Sequence, residues 1–142
     1  MDSHPNLILA LTGSTIIIPG VYGLYNRKIY GGISSLILGL TSIVFHSTRN
    51  KTAEVVDKVA IANAVLSTYI NIYRNYSEPI LAQLIFSSVF NSTVFFLGKK
   101  YNILCFDPDI RVQTFYHMLI HFFSAHTSYK VLTMNNMVNL LP

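Results

Sequence analysis

Charge is what this chain has least of. Only 11% of its 142 residues are Asp, Glu, Lys or Arg, against roughly 25% in ordinary soluble domains. With so few solubilising groups and 51% hydrophobic residues, it cannot cover a water-facing surface in the usual way. No polar stretch is long enough to form a second, soluble domain. The single cysteine, Cys105, excludes an intrachain disulfide and reads as a small apolar residue. Tryptophan is absent, and there is no internal repeat or low-complexity segment. The net charge of +4 comes from short basic clusters: Arg27-Lys28, Arg49 with Lys51, Arg74, and Lys99-Lys100. These flank apolar runs and form no stripe with interleaved aromatics, so they mark membrane interfaces and argue against nucleic-acid binding.

What is present is a series of apolar runs close to the roughly 20 residues that cross a bilayer. They predict an all-α, polytopic helix bundle forming one transmembrane domain over residues 1–142. The spans expected are 7–22, 29–45, 55–73, 80–97 and 110–132. The first run lacks a basic leader and a small-residue cleavage site, so it reads as a span and not a signal peptide. Gly13, Pro19 and Gly20 are expected to kink it. In the second run Gly31, Gly32, Ser34, Ser35 and Gly39 are small residues of the kind that let membrane helices approach closely.

Ser47 to Thr52 is expected to be a polar connection, with Asp57 and Lys58 in the first turn of the next helix. Arg74 to Pro79 is a breaker, with Pro79 suited to a helix start. Asp107-Pro108-Asp109 reads as a turn, and residues 133–142 as an interfacial tail or a helix extension. Five spans put the two glycosylation sequons, Asn50-Lys51-Thr52 and Asn75-Tyr76-Ser77, on opposite faces. The basic residues divide too evenly between the faces to choose an orientation.

The polar residues inside these runs carry the functional signal. His46 ends the second span, Asp57 opens the third, and His117 and His121 lie in the first half of the fifth. Span parity places all four in one leaflet although they come from three helices. Ionisable groups are costly in a membrane, so such residues normally serve as partners or ligands. His117 and His121, at i and i+4, share a helix face, as do Ser42 and His46.

Taken singly each has a plain explanation: a pore-facing or interfacial pair, a snorkelling histidine, and a carboxylate favoured by a helix dipole. Their coincidence shifts the reading to a metal. Three neutral imidazoles leave one position of tetrahedral zinc open for water, as in catalytic sites. Asp57 could then accept a proton, and Ser42 could hydrogen-bond beside the metal. The motif is not that of the zincins, since Met118 stands where they need glutamate. His126 lies on another face, and His4 in a terminus carries no signal.

At these residues the chain resembles the CREST group of membrane hydrolases and receptors, and within it the alkaline ceramidases. The resemblance rests on Ser42-x-x-Phe45-His46-x-Thr48, Asp57 eleven residues after that histidine, and His117-x-x-x-His121. It covers roughly residues 6–73 and 113–129. It implies Zn2+ held by His46, His117 and His121, with Ser42 and Asp57 assisting hydrolysis of the amide bond of a ceramide-like lipid. It further implies an integral membrane protein of the endoplasmic reticulum or Golgi. A catalytically silent relative that keeps the metal, as a receptor, fusion factor or structural protein, is the alternative. The family has seven spans, so five would leave part of the lipid-enclosing wall missing, which a homodimer would replace. The family's N-terminal calcium cluster of tryptophan and acids has no counterpart here, since only Asp2 precedes the first span.

Overall fold

A computed structural model describes residues 6–74 and 78–133, which are helical apart from short connections and, among themselves, contain no strand. Asp2, His4, the 75–77 sequon and the tail 134–142 lie outside the described residues. The first apolar run is two helices, α1 (Leu7–Gly13) and α2 (Ile17–Tyr25), joined by a 3-10 turn at Ser14–Ile16. Pro19 accounts for the break. It has no N–H to donate, and its ring crowds the carbonyl four residues earlier, at Thr15. The Thr12, Ser14 and Thr15 hydroxyls bond carbonyls of their own turn, which keeps this irregular stretch satisfied in an apolar setting.

Helix α3 (Ile29–Thr48) stops at Arg49, whose left-handed backbone (φ 52°) lets its N–H return to Phe45 O at 2.7 Å. Only Arg49 and Asn50 separate it from α4 (Lys51–Arg74), because Asn50 Oδ1 accepts from Thr52 N at 2.7 Å and starts the helix there. This corrects the expected 47–52 connection and moves Asp57 almost two turns into α4. The acid in the first turn is Glu54, which pairs with Lys58. Asp57 therefore cannot be explained as a charge on the helix dipole.

Helices α5 (Glu78–Tyr101) and α6 (Ile110–Thr133) follow, with a 3-10 turn at Leu104–Phe106 between them. That turn folds back on α5: Cys105 Sγ donates to Val94 O at 3.4 Å, and burial pushes its thiol up to about 11. The expected Asp107 turn is present: Asp107 Oδ1 accepts from Asp109 N and Asp109 Oδ1 from Arg111 N, both at 2.8 Å, and it starts α6.

Four stretches are long and apolar enough to cross a bilayer: Leu7–Tyr25, Ile29–Thr48, Lys51–Tyr73 and Glu78–Tyr101. The fifth expected span, now α6, has the length, about 36 Å at 1.5 Å per residue. It is not among the four. The reason lies in its position: α6 touches α1, α2, α3, α4 and α5, so its histidines, serines and threonines can meet protein instead of lipid. Buried apolar residues form two clusters. Ile16, Leu38, Ala60, Ala64 and Ala125 join α3, α4 and α6 in mid-bundle. Ile72, Leu84 and Val131 join α4, α5 and α6 near the α4–α5 turn.

Between α2 and α3 the backbones themselves come close. A Cβ on Gly32 would lie 2.8 Å from Leu24 N and 3.0 Å from Gly20 O, so backbone meets backbone there. Gly32→Ala should force the two helices apart and cost about 1–3 kcal/mol, read as a lower thermal midpoint of the detergent-solubilised protein. An unchanged midpoint would mean that this contact does not set the helix spacing.

Candidate metal centre

Three imidazoles meet where α3 ends and α6 has run two turns. His46 is 1% exposed in the last turn of α3, and His117 and His121 lie one turn apart on α6. Ring centroids are 4.8 Å apart for His46–His117, 5.2 Å for His46–His121 and 5.1 Å for His117–His121. One nitrogen from each ring lies within 4.8 Å of the others, close enough for one ion to be shared.

The chain start locks these elements together. Asn6 N donates to His46 O at 2.9 Å, and Asn6 Nδ2 donates to Thr114 Oγ1 on α6 at 2.9 Å. Its Oδ1 accepts from Leu9 N at 3.1 Å and caps α1. One side chain thus ties α1 to the helix of His117 and His121, while its backbone holds the end of α3.

His121 is gripped from both sides. Thr12 Oγ1 lies 3.0 Å from Nδ1, and Ser42 Oγ lies 3.4 Å from Nε2. Thr12 Oγ1 is also 3.2 Å from Leu9 O, to which its proton can go. In that arrangement its oxygen accepts from His121 Nδ1–H, which leaves the lone pair on Nε2. That is the tautomer in which Nε2 can ligate a metal, with Thr12 as the outer partner that orients the ring. Gly13 makes room for the grip: a Cβ there would fall 3.0 Å from Ser42 Oγ and 3.7 Å from His121 Cε1.

His46 Nδ1 is buried and has no hydrogen-bond partner among the described residues. A buried ring nitrogen without a partner is costly unless something else takes its lone pair. Three imidazoles so placed, each offering one nitrogen, could hold a metal ion.

Of the residues singled out by sequence, His46, His117, His121 and Ser42 come together. Asp57 does not join the three-imidazole group. It is buried beside it, accepting from Thr41 Oγ1 at 3.1 Å, and Thr41 precedes Ser42. His126 is exposed on another face of α6. Sequence reasoning did not identify Thr12, Asn6 and Gly13. A signal for the first was present, a hydroxyl followed by a glycine inside an otherwise apolar run.

Asn6→Ala should remove the α1 cap and the tie to α6, costing about 0.5–2 kcal/mol and lowering the thermal midpoint. Asn6→Asp, which keeps the cap acceptor but not the amide donor to Thr114, should recover part of that loss. Equal losses in the two variants would show that the cap contributes nothing. No family model matches the chain, and no curated protein or solved structure is significantly similar to it.

Proposed function

We propose that this chain is a zinc-dependent membrane hydrolase of the ceramidase type, in a shortened form, that cleaves the amide bond of a ceramide-like lipid. The observation that carries this reading is the group His46, His117 and His121, the first and last buried and the second half-buried, each offering a ring nitrogen within 4.8 Å of the others; His46 Nδ1 has no hydrogen-bond partner among the described residues. The four apolar helices support a membrane setting, and the endoplasmic reticulum or Golgi follows from the resemblance alone.

Zinc held by the three histidines supplies Lewis acidity toward an amide carbonyl and toward water. Thr12 keeps His121 turned so that Nε2 faces inward. Ser42 Oγ, beside that nitrogen, is placed to donate a hydrogen bond to an oxygen that gains negative charge. Asp57 accepts a proton at a carboxylate oxygen; Thr41 donates to Oδ1, and a water can bond the other oxygen. α4 leans on α3, and α5 on α6 and the 3-10 turn, with little direct contact between α4 and α5 among the described residues. The acyl chain of a lipid would lie in that seam, and a second copy of the chain is the simplest replacement for the missing wall.

One observation favours the alternative, a catalytically silent CREST-like protein that keeps the metal. The Asp57 carboxylate is bonded to Thr41 and stands outside the imidazole group.

Zinc analysis of detergent-purified protein, run beside ceramide turnover, tests the proposal. One zinc per chain and measurable turnover are expected. His117→Ala and His121→Ala should lose both. Asp57→Asn should keep zinc while turnover falls by about 10²–10⁴. Zinc without turnover in the wild type would select the silent alternative, and absence of zinc would remove both readings. Thr12→Val, which cannot accept from Nδ1, should weaken zinc binding by about 10–100-fold, measured by chelator competition. Unaltered affinity would deny Thr12 its orienting role.

A further inference from the structure

The other end of the bundle holds a second polar site. Between α3, α4 and α6 lies a small cavity whose polar lining is Ser35, Ser67, Thr68, Asn71 and Ser128. Gly31 supplies the room. A Cβ there would come within 2.5 Å of Leu132 Cδ2, 3.0 Å of Asn71 Nδ2 and 3.6 Å of Ser67 Oγ. Ser67 lies about 15 Å along α4 from Asp57, at 1.5 Å per residue. The apolar cluster of Ile16, Leu38, Ala60, Ala64 and Ala125 is packed between the same helices. The cavity is thus separate from the histidine centre.

Ser67 is the informative residue. It is 2% exposed, and its Oγ has no hydrogen-bond partner among the described residues. A serine inside a helix in apolar surroundings ordinarily bonds a carbonyl one turn back. Among the described residues seven hydroxyls do so, those of Thr12, Ser14, Thr15, Thr41, Thr48, Thr68 and Thr133. Thr68, next to Ser67, takes Ala64 O at 2.8 Å. Ser67's own carbonyl is taken by Asn71 Nδ2 at 2.8 Å. The Ser67 hydroxyl instead lines the cavity, where no described residue satisfies it and a small molecule could.

Size and charge identify that molecule. The space accommodates about one water centre. Among the described residues no carboxylate and no charged side chain lines it, so the dipoles there suit a neutral ligand. A buried water needs two to four polar partners, and the hydroxyls of Ser35, Ser67, Thr68 and Ser128 come from three helices. We infer that this cavity is a binding site for one ordered water molecule, held by Ser67 Oγ, that joins α4 to α3 and α6 at the membrane end opposite the histidines. This does not rest on the zinc reading.

The test uses the sign of a stability change. With water in place, Ser67→Ala takes away one of its hydrogen bonds, and the thermal midpoint should fall by about 2–5 °C. In a dry cavity the same change removes a costly orphan hydroxyl and loses little volume, so the midpoint should rise or stay. A map of the full chain at a resolution that shows ordered waters should contain density within hydrogen-bond distance of Ser67 Oγ. A dry cavity in that map, or an unchanged or raised midpoint in Ser67→Ala, overturns the assignment. So does a midpoint higher in sodium chloride than in choline chloride for the wild type but not for Ser67→Ala, which would give the cavity to a cation.

Discussion

The grip on His121 is the contact that orders the bundle. Thr12 on one side and Ser42 on the other fix a ring of α6 between α1 and α3. An imidazole has two nitrogens to satisfy, and in an apolar medium neither can be left to solvent. Contacts from two different helices, at Nδ1 and beside Nε2, set where α6 sits and how it is rotated. From that placement follow the meeting of His117 with His46 and the tie from Asn6 to Thr114. It also accounts for a central helix that is not among the stretches apolar enough to cross a bilayer.

The same logic recurs at smaller scale along the other seams. Lipid tails are as apolar as leucine, so burying apolar area gives helices little reason to associate in a membrane. Close packing and interhelical hydrogen bonds must do it. α3 and α4 are joined by Tyr30 Oη to Asn63 Oδ1 and Asn63 Nδ2 to Ser34 Oγ, each 3.0 Å. α5 and α6 are joined by Ser87 to Thr127 at 2.7 Å and Asn91 to Ser124 at 3.1 Å. Each bond is of modest strength, about 0.6 kcal/mol on average where such pairs have been measured. Their value here lies in register, because each pairs only one rotation of its helix with its neighbour. Outward faces carry Ile, Val, Leu and Phe instead; Leu7 and Leu11 are each more than 70% exposed.

Much of this was legible in the residues. Span parity with the i, i+4 spacing of His117 and His121 was enough to bring three histidines into one leaflet, because both are consequences of helix geometry alone. Helix starts were harder to place. α4 begins at Lys51 because Asn50 caps it, whereas hydropathy places the start at Val55, among the first apolar residues. That difference of about one turn changed the meaning of Asp57. The partners of the site were not legible at all. Thr12 meets His121 and Asn6 meets Thr114 across more than a hundred residues, and no local pattern records such a pairing. The polarity of α6 was visible, but it could not be read as centrality without knowing its neighbours.

The cluster also has a place in time. Thr12, Ser42 and His46 lie in the first third of the chain, and His117 and His121 in its last third. At ordinary rates of synthesis, roughly 4–14 s separate the emergence of His46 from that of His117. Throughout that interval the early helices carry hydroxyls and an imidazole whose partners do not yet exist. Their arrangement is completed only when α6 arrives, so a stalled or clipped chain would keep polar groups facing lipid. The feature that completes the site therefore also distinguishes a finished molecule from an unfinished one, in a form that membrane quality control can read.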